Sequence, residues 1–333
     1  MEHGRAIVVL IALAGCGYIE LDAAVDPVRS DVDVQDGEAE RPADRGLEDL
    51  AADPAPSETS VDASDSRVDT ALDAPLGIGP FSAPQEIAGL GDGTDDDPTL
   101  SQDLREIYFK RRVSGEARLF VARRTNVGDP FDPPEELRLL GNEEITSPEL
   151  APSGLVLHFT ASSGGRNRVF RCQRASPSDA WGPAELLAEI RPAGDSFGFS
   201  VSQGERFAVY TALRPRDGLE AAERSAVGQA WAPSNALERL NETGTETDVH
   251  VAADGLVVYF SRNVPGELDN EIFRASRSSV DQPFGDEEPV PELGANGTDT
   301  DPWVSADGRA IVFASRRNGP FRLYAATRSG ARF

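Results

Sequence analysis

Four carboxylates recur at related places along the chain, Asp97, Glu149, Asp248 and Asp301. Two such groups held roughly 5–10 Å apart could hydrolyse a glycosidic bond. Aspartates at these places also belong to a repeating pattern, so repetition alone accounts for them. Beside them stand Thr99, Glu149, Phe199, His250 and Trp303, five residues of different kinds at matching repeat positions near the start of an inner strand. That mixture suits an asymmetric ligand. It would equally well pack between neighbouring units, because side chains alternate between the two faces of a strand. The chain has three histidines, His3, His158 and His250, and they are too scattered for a His-rich metal site. No nucleophile elbow, phosphate loop or dinucleotide fingerprint is present. These residues point to no catalytic set, no metal and no cofactor, and they leave the five channel-mouth positions as candidate ligand contacts.

Cys16 is the other chemically pointed residue. A weakly basic start (His3, Arg5) precedes an apolar run from Ala6 to Ala14, and Leu13-Ala14-Gly15 lead into the cysteine. The run is too short to stay in a bilayer as a spanning helix, so it reads as a cleaved leader over residues 1–15. The four residues ending at Cys16 resemble the bacterial lipobox, which implies cleavage before Cys16 and acylation of its thiol. Several acyl chains anchor durably, since each buried methylene contributes about 0.8 kcal/mol. Gly17, where an aspartate would signal retention, implies by the same resemblance an outer-membrane address in the cell envelope. Cys172 is the only other cysteine, so no disulfide framework is available; it reads as a small buried hydrophobe.

Acidic residues outnumber basic ones 57 to 32. Residues 20–75 hold seventeen acids against four arginines and no aromatic residue. Such a stretch cannot bury enough apolar surface to offset its chain entropy, so residues 16–78 are expected to form a disordered acidic tether. Nucleic acid is excluded as a partner because phosphate binding needs a basic patch. Lys110 is the single lysine, every other basic side chain apart from histidine being arginine, and composition assigns it no role.

The elements that must position these residues come from a repeat. Aromatic residues recur at Phe81, Phe131, Trp181, Trp231 and Phe284, at spacings of 50, 50, 50 and 53, each leading into a proline-containing extended stretch. Within each unit a polar acidic loop leads to a turn such as Ala306-Asp307-Gly308, then to an apolar β-rich run such as Ala310–Phe313, then to a further strand such as Arg322–Ala326. Four short strands per fifty residues, with no helical period, predict an all-β fold: a monomeric five-bladed β-propeller of four-stranded antiparallel blades over residues 79–333. Phe81 to Leu90 reads as an outer strand with no inner strands before it, so residues 81–90 are expected to complete the last blade and remove the open edge.

The segments Asp301-Pro302-Trp303-Val304-Ser305-Ala306-Asp307-Gly308 and Ile311-Val312-Phe313-Ala314-Ser315 resemble the WD40-like (PD40) repeats of TolB-type propellers, and Val251–Gly255 with Val258–Ser261 is similar. The first two units alter the turn, and the third departs most, with Phe197-Gly198-Phe199. The resemblance implies a fold used for many functions. Together with Cys16 it implies a membrane-anchored envelope module that binds or scaffolds protein or glycan. The alternative is a glycan hydrolase or lectin using carboxylates and aromatics at the channel.

Overall fold

The computed structural model describes residues 79–141, 144–190, 194–213, 218–241, 245–263, 269–328 and 333. The leader, Cys16 and the tether expected over residues 1–78 lie outside the described residues. Twenty strands form five four-stranded antiparallel sheets. β1 (Gln85–Glu86) comes first. Blade one is β2 (Asp95–Leu100), β3 (Glu106–Val113), β4 (Glu116–Arg123) and β5 (Glu135–Glu136). Blade two is β6 (Ile145–Leu150), β7 (Val156–Ser163), β8 (Arg166–Gln173) and β9 (Glu185–Leu186). Blade three is β10 (Asp195–Val201), β11 (Phe207–Leu213), β12 (Gly218–Glu223) and β13 (Ala232–Ser234). Blade four is β14 (Thr245–Val251), β15 (Val257–Asn263), β16 (Asn270–Ser276) and β17 (Glu288–Pro289). Blade five is β18 (Asp299–Val304), β19 (Ala310–Ser315) and β20 (Arg322–Thr327), and β1 is its fourth strand, with Gln85 opposite Ala325 and Glu86 opposite Tyr324.

The turns between first and second strands show what Ser305-Ala306-Asp307-Gly308 and its relatives in other blades do. Ser305 Oγ donates to Asp307 Oδ1, which also accepts the Arg309 amide, while Gly308 takes a left-handed φ of 67°. Blade one builds the same network from Ser101 and Asp103, with Leu104 forced into the left-handed region at φ 59°.

The periodic aromatic residues have a partner that recurs seven positions before them. Arg124 stacks over Phe131, Arg174 over Trp181, Arg224 over Trp231 and Arg277 over Phe284, at 4.3–4.6 Å from ring centre to guanidinium carbon. In blade five the arginine is Arg328 and the ring is Phe81, delivered from the other end of the chain at 4.2 Å. Each of these buried guanidiniums also donates from Nε to a carbonyl in its own blade's first turn, at 2.5–2.8 Å. One cation per blade thus ties the turn, the third strand and the fourth strand together.

Closure uses both neighbours of the seam. The Phe81 ring lies under Arg328 of blade five, while the Phe131 amide of blade one donates to Ala88 O at 3.1 Å. Gly89 has a φ of 94° and passes so near Phe131 that a Cβ would sit 2.0 Å from its carbonyl oxygen, so only glycine fits. Desolvated cation–π contacts contribute about 2 kcal/mol, and hydrogen bonds from a charged donor about 1.5–3 kcal/mol. Arg328→Ala is therefore expected to lose about 2–4 kcal/mol, a fall in Tm of about 4–16 °C by calorimetry.

Candidate functional site

The innermost strands β2, β6, β10, β14 and β18 each carry a bulge at the same place. One residue of each bulge is left-handed: Asp97 (φ 53°), Ser147 (47°), Gly198 (59°), Asp248 (53°) and Asp301 (54°). Aspartate and glycine tolerate this conformation better than most residues, which is a local reason for their recurrence there. The five bulges line a pocket of about 40 Å³. Carboxyl oxygens of Asp97, Asp248 and Asp301 come within 4.8 Å of one another, a convergence that would suit a cation.

The chain supplies that cation itself. Lys110, the lone lysine, projects from β3 and is 1% exposed, with Nζ 2.8 Å from Asp97 and 3.1 Å from Asp96. Its ammonium is held well above the ordinary lysine pKa because Asp96, Asp97 and Asp301 outweigh the burial that disfavours its charge. Non-local contacts build this centre, and neither the carboxylate pattern nor the lysine's uniqueness announced it.

The sequence-predicted positions fall beside it. Thr99, Glu149, His250 and Trp303 each sit two residues after the bulge, opposite Tyr108, His158, Tyr259 and Val312. Phe199, expected in the same register, stands one residue too early; Ser200 holds the matching place, opposite Val209. Ser200 lies 51 residues after Glu149, whereas Glu149 lies 50 after Thr99, and the Phe199 ring packs instead against His158, Tyr210 and Trp231.

These side chains brace adjacent blades. Thr99 Oγ1 accepts the Leu150 amide at 3.0 Å, and Ser200 Oγ donates to Glu149 Oε1 at 2.9 Å. Ser200 Oγ also accepts the Val251 amide and lies 3.2 Å from His250 Nδ1, while the His250 ring packs near Trp303. Glu149, Phe199, Ser200 and His250 line the pocket as well. Both Ser200 and Glu149 meet the same ring nitrogen, so the three do not form a relay of the nucleophile–base–orienter kind.

At this end, in blades one, four and five, an acid of the first strand pairs with an arginine of its own blade, while Glu144 and Asp195 accept backbone amides of the preceding blade. Arg111 meets Asp95 at 2.6 Å, and Arg262 meets Glu246 at 2.8 Å. In blade five Arg317 takes that role with Asp299, at 3.0 Å, while Arg316 stacks on Phe321. Cys172 is buried, and that burial pushes its thiol up to about 12, so it is inert.

Fold and site define a class: a closed five-bladed propeller whose axis ends in a small pocket over a buried lysine–carboxylate centre. No protein-family model and no curated protein matches the sequence. Among solved structures, the chain is similar to the catalytic domain of the GH62 α-L-arabinofuranosidase of Coprinopsis cinerea. The TM-score is 0.57 and identity 11%, over 76% of this chain and 98% of that one. A thermostable family-43 glycoside hydrolase is similar at TM-score 0.52 and 13% identity, over 74% of this chain and 92% of that one. TolB of Acinetobacter baumannii is similar at TM-score 0.45 and 13% identity, over 72% of this chain and 55% of that one. This chain therefore spans little more than half the length of that TolB. At such identities the likeness is one of fold.

Proposed function

We propose that this chain is a lipid-anchored cell-envelope protein of the outer membrane, tethered through Cys16, whose propeller is a binding or scaffold module for protein or glycan. The observation that carries the non-catalytic reading is the axial pocket. A volume of about 40 Å³ admits an ion or a water or two, whereas ligand sites usually offer about 300–1,000 Å³. Its carboxyls are engaged by Lys110, by Thr247 and Thr300, and by Ser200. Side chains that bridge every blade make a stiff platform for its faces. The leader pattern and lipobox support the address.

Two measurements test this. Incubation with a polysaccharide panel is expected to release no reducing sugar; release that disappears in Glu149→Gln would replace the proposal with a glycan hydrolase working at the axis. Labelled palmitate fed to producing cells is expected to appear in the wild-type protein and to vanish in Cys16→Ala. An unlabelled wild-type protein would defeat the anchor.

A further inference from the structure

The axial charge centre does not balance. Asp96 and Asp97 of β2, Asp248 of β14 and Asp301 of β18 gather near one ammonium, that of Lys110 on β3. Arg112, also on β3, acts on Asp96. Glu149 of β6 and His250 of β14 face the same pocket, 3.4 Å apart and joined through Ser200. Asp96 and Asp97 are buried and Asp248 and Asp301 half-buried, and four carboxyls crowded beside one cation do not all ionise readily.

Contacts decide which do. Burial opposes ionisation of Asp97, yet Lys110, the Asp301 carboxyl within 4.8 Å and the Ser147 amide hold its pKa below the usual carboxylate range. Burial, then the charges of Asp97 and Asp248, hold Asp301 well above that range. Burial and then Asp97 raise Asp248 too, although Thr247 and Thr300 donate to its Oδ2. Asp96 is driven by burial to about 7 against the pull of Lys110, and its Oδ1 is buried with no hydrogen-bond partner.

We infer that these carboxyls form a proton-operated latch across the closing seam. With Asp301 protonated and bonded to Asp97, blades five and one are joined at the axis; ionised, the same groups repel across blades one, four and five and loosen that end. A carboxyl whose pKa is higher in the fold than in the open chain stabilises the fold fully below the open-chain value of about 3.9. That contribution is lost as pH rises through the folded value, about 7 for Asp96.

Thermal unfolding of the full chain between pH 5 and pH 9 tests the latch. Burial pushes the His158 imidazole down to about 3, so His158 adds stability as pH rises from 5 to about 6.5, opposite to the latch. The latch is therefore read between proteins. Asp301→Asn keeps a neutral hydrogen-bonding group, and from pH 5 to pH 9 the wild type is expected to lose about 5 °C or more of Tm relative to it. Asp286→Asn, which removes an exposed acid paired with Arg239, is expected to track the wild type. An Asp301→Asn profile parallel to that of the wild type overturns the latch. Should Asp301→Asn not fold, the infrared carbonyl band of a protonated carboxyl in the wild type at pH 7 decides the matter: its presence supports the latch and its absence overturns it.

Discussion

Deletion of residues 81–90 is expected to abolish the cooperative unfolding transition or to lower its midpoint by more than about 15 °C. The segment supplies β1, the ring beneath Arg328, and the buried Phe81, Ile87 and Leu90. Removing a buried phenylalanine alone costs about 3–5 kcal/mol. Added to two aliphatic side chains, an uncovered β20 edge and a guanidinium left without its ring, the loss approaches the whole stability of a typical domain, about 5–15 kcal/mol. A shift of 1 kcal/mol moves Tm by about 2–4 °C at this size. The same ten residues fused behind a short linker after Phe333 should restore most of the loss, because the blade needs the strand and not its connectivity. A deletion variant that melts like the wild type would show that β1 is dispensable for closure.

Lys110→Met is expected to be the most damaging single substitution at the axis. The side chains match in volume, so the effect is electrostatic: Asp96 and Asp97 lose the ammonium at 3.1 and 2.8 Å and stay buried. Breaking a buried ion pair from one side costs about 3–5 kcal/mol, a drop of about 6–20 °C in Tm. The deficit should depend on pH in a definite direction. Without the ammonium the pKa values of Asp96 and Asp97 rise, and protons can replace the lost cation at low pH, so the gap from wild type should be smaller at pH 5 than at pH 8. Melting curves at the two values check this, and equal gaps would mean that lost packing, not uncompensated charge, causes the damage. Arginine is not a mild replacement, because its planar fork offers donors in a fixed geometry unlike that of a compact ammonium.

Blade number and closure were legible because both rest on local chemistry repeated in register: an aromatic about every fifty residues, a polar turn before each apolar second strand, and an orphan outer strand at Phe81. The arginines seven residues ahead of those aromatics were legible too, had the spacing been sought, since Arg124, Arg174, Arg224 and Arg277 all keep it. Register inside β10 was legible from the turn and not from the spacing. A strict fifty-residue count lands on Phe199, but one extra residue lies between Glu149 and Ser200, and the turn opening at Ser202 marks Ser200 just as the turn opening at Ser101 marks Thr99. The axial centre was hidden for a different reason. Lys110 lies 13 residues from Asp97 but 138 and 191 from Asp248 and Asp301, and only ring closure brings those three blades to one point. Its rarity was visible, but rarity carries no direction.

That rarity has a practical side. Lys110 is the only side-chain amine in 333 residues, and the fold shuts it away at 1% exposure. An amine-reactive reagent therefore meets no lysine on the surface of the closed propeller, and every lysine adduct records a moment when the axis stood open. The rate at which such adducts accumulate is a chemical clock for the breathing of the ring, read by mass at one known position with no engineered label.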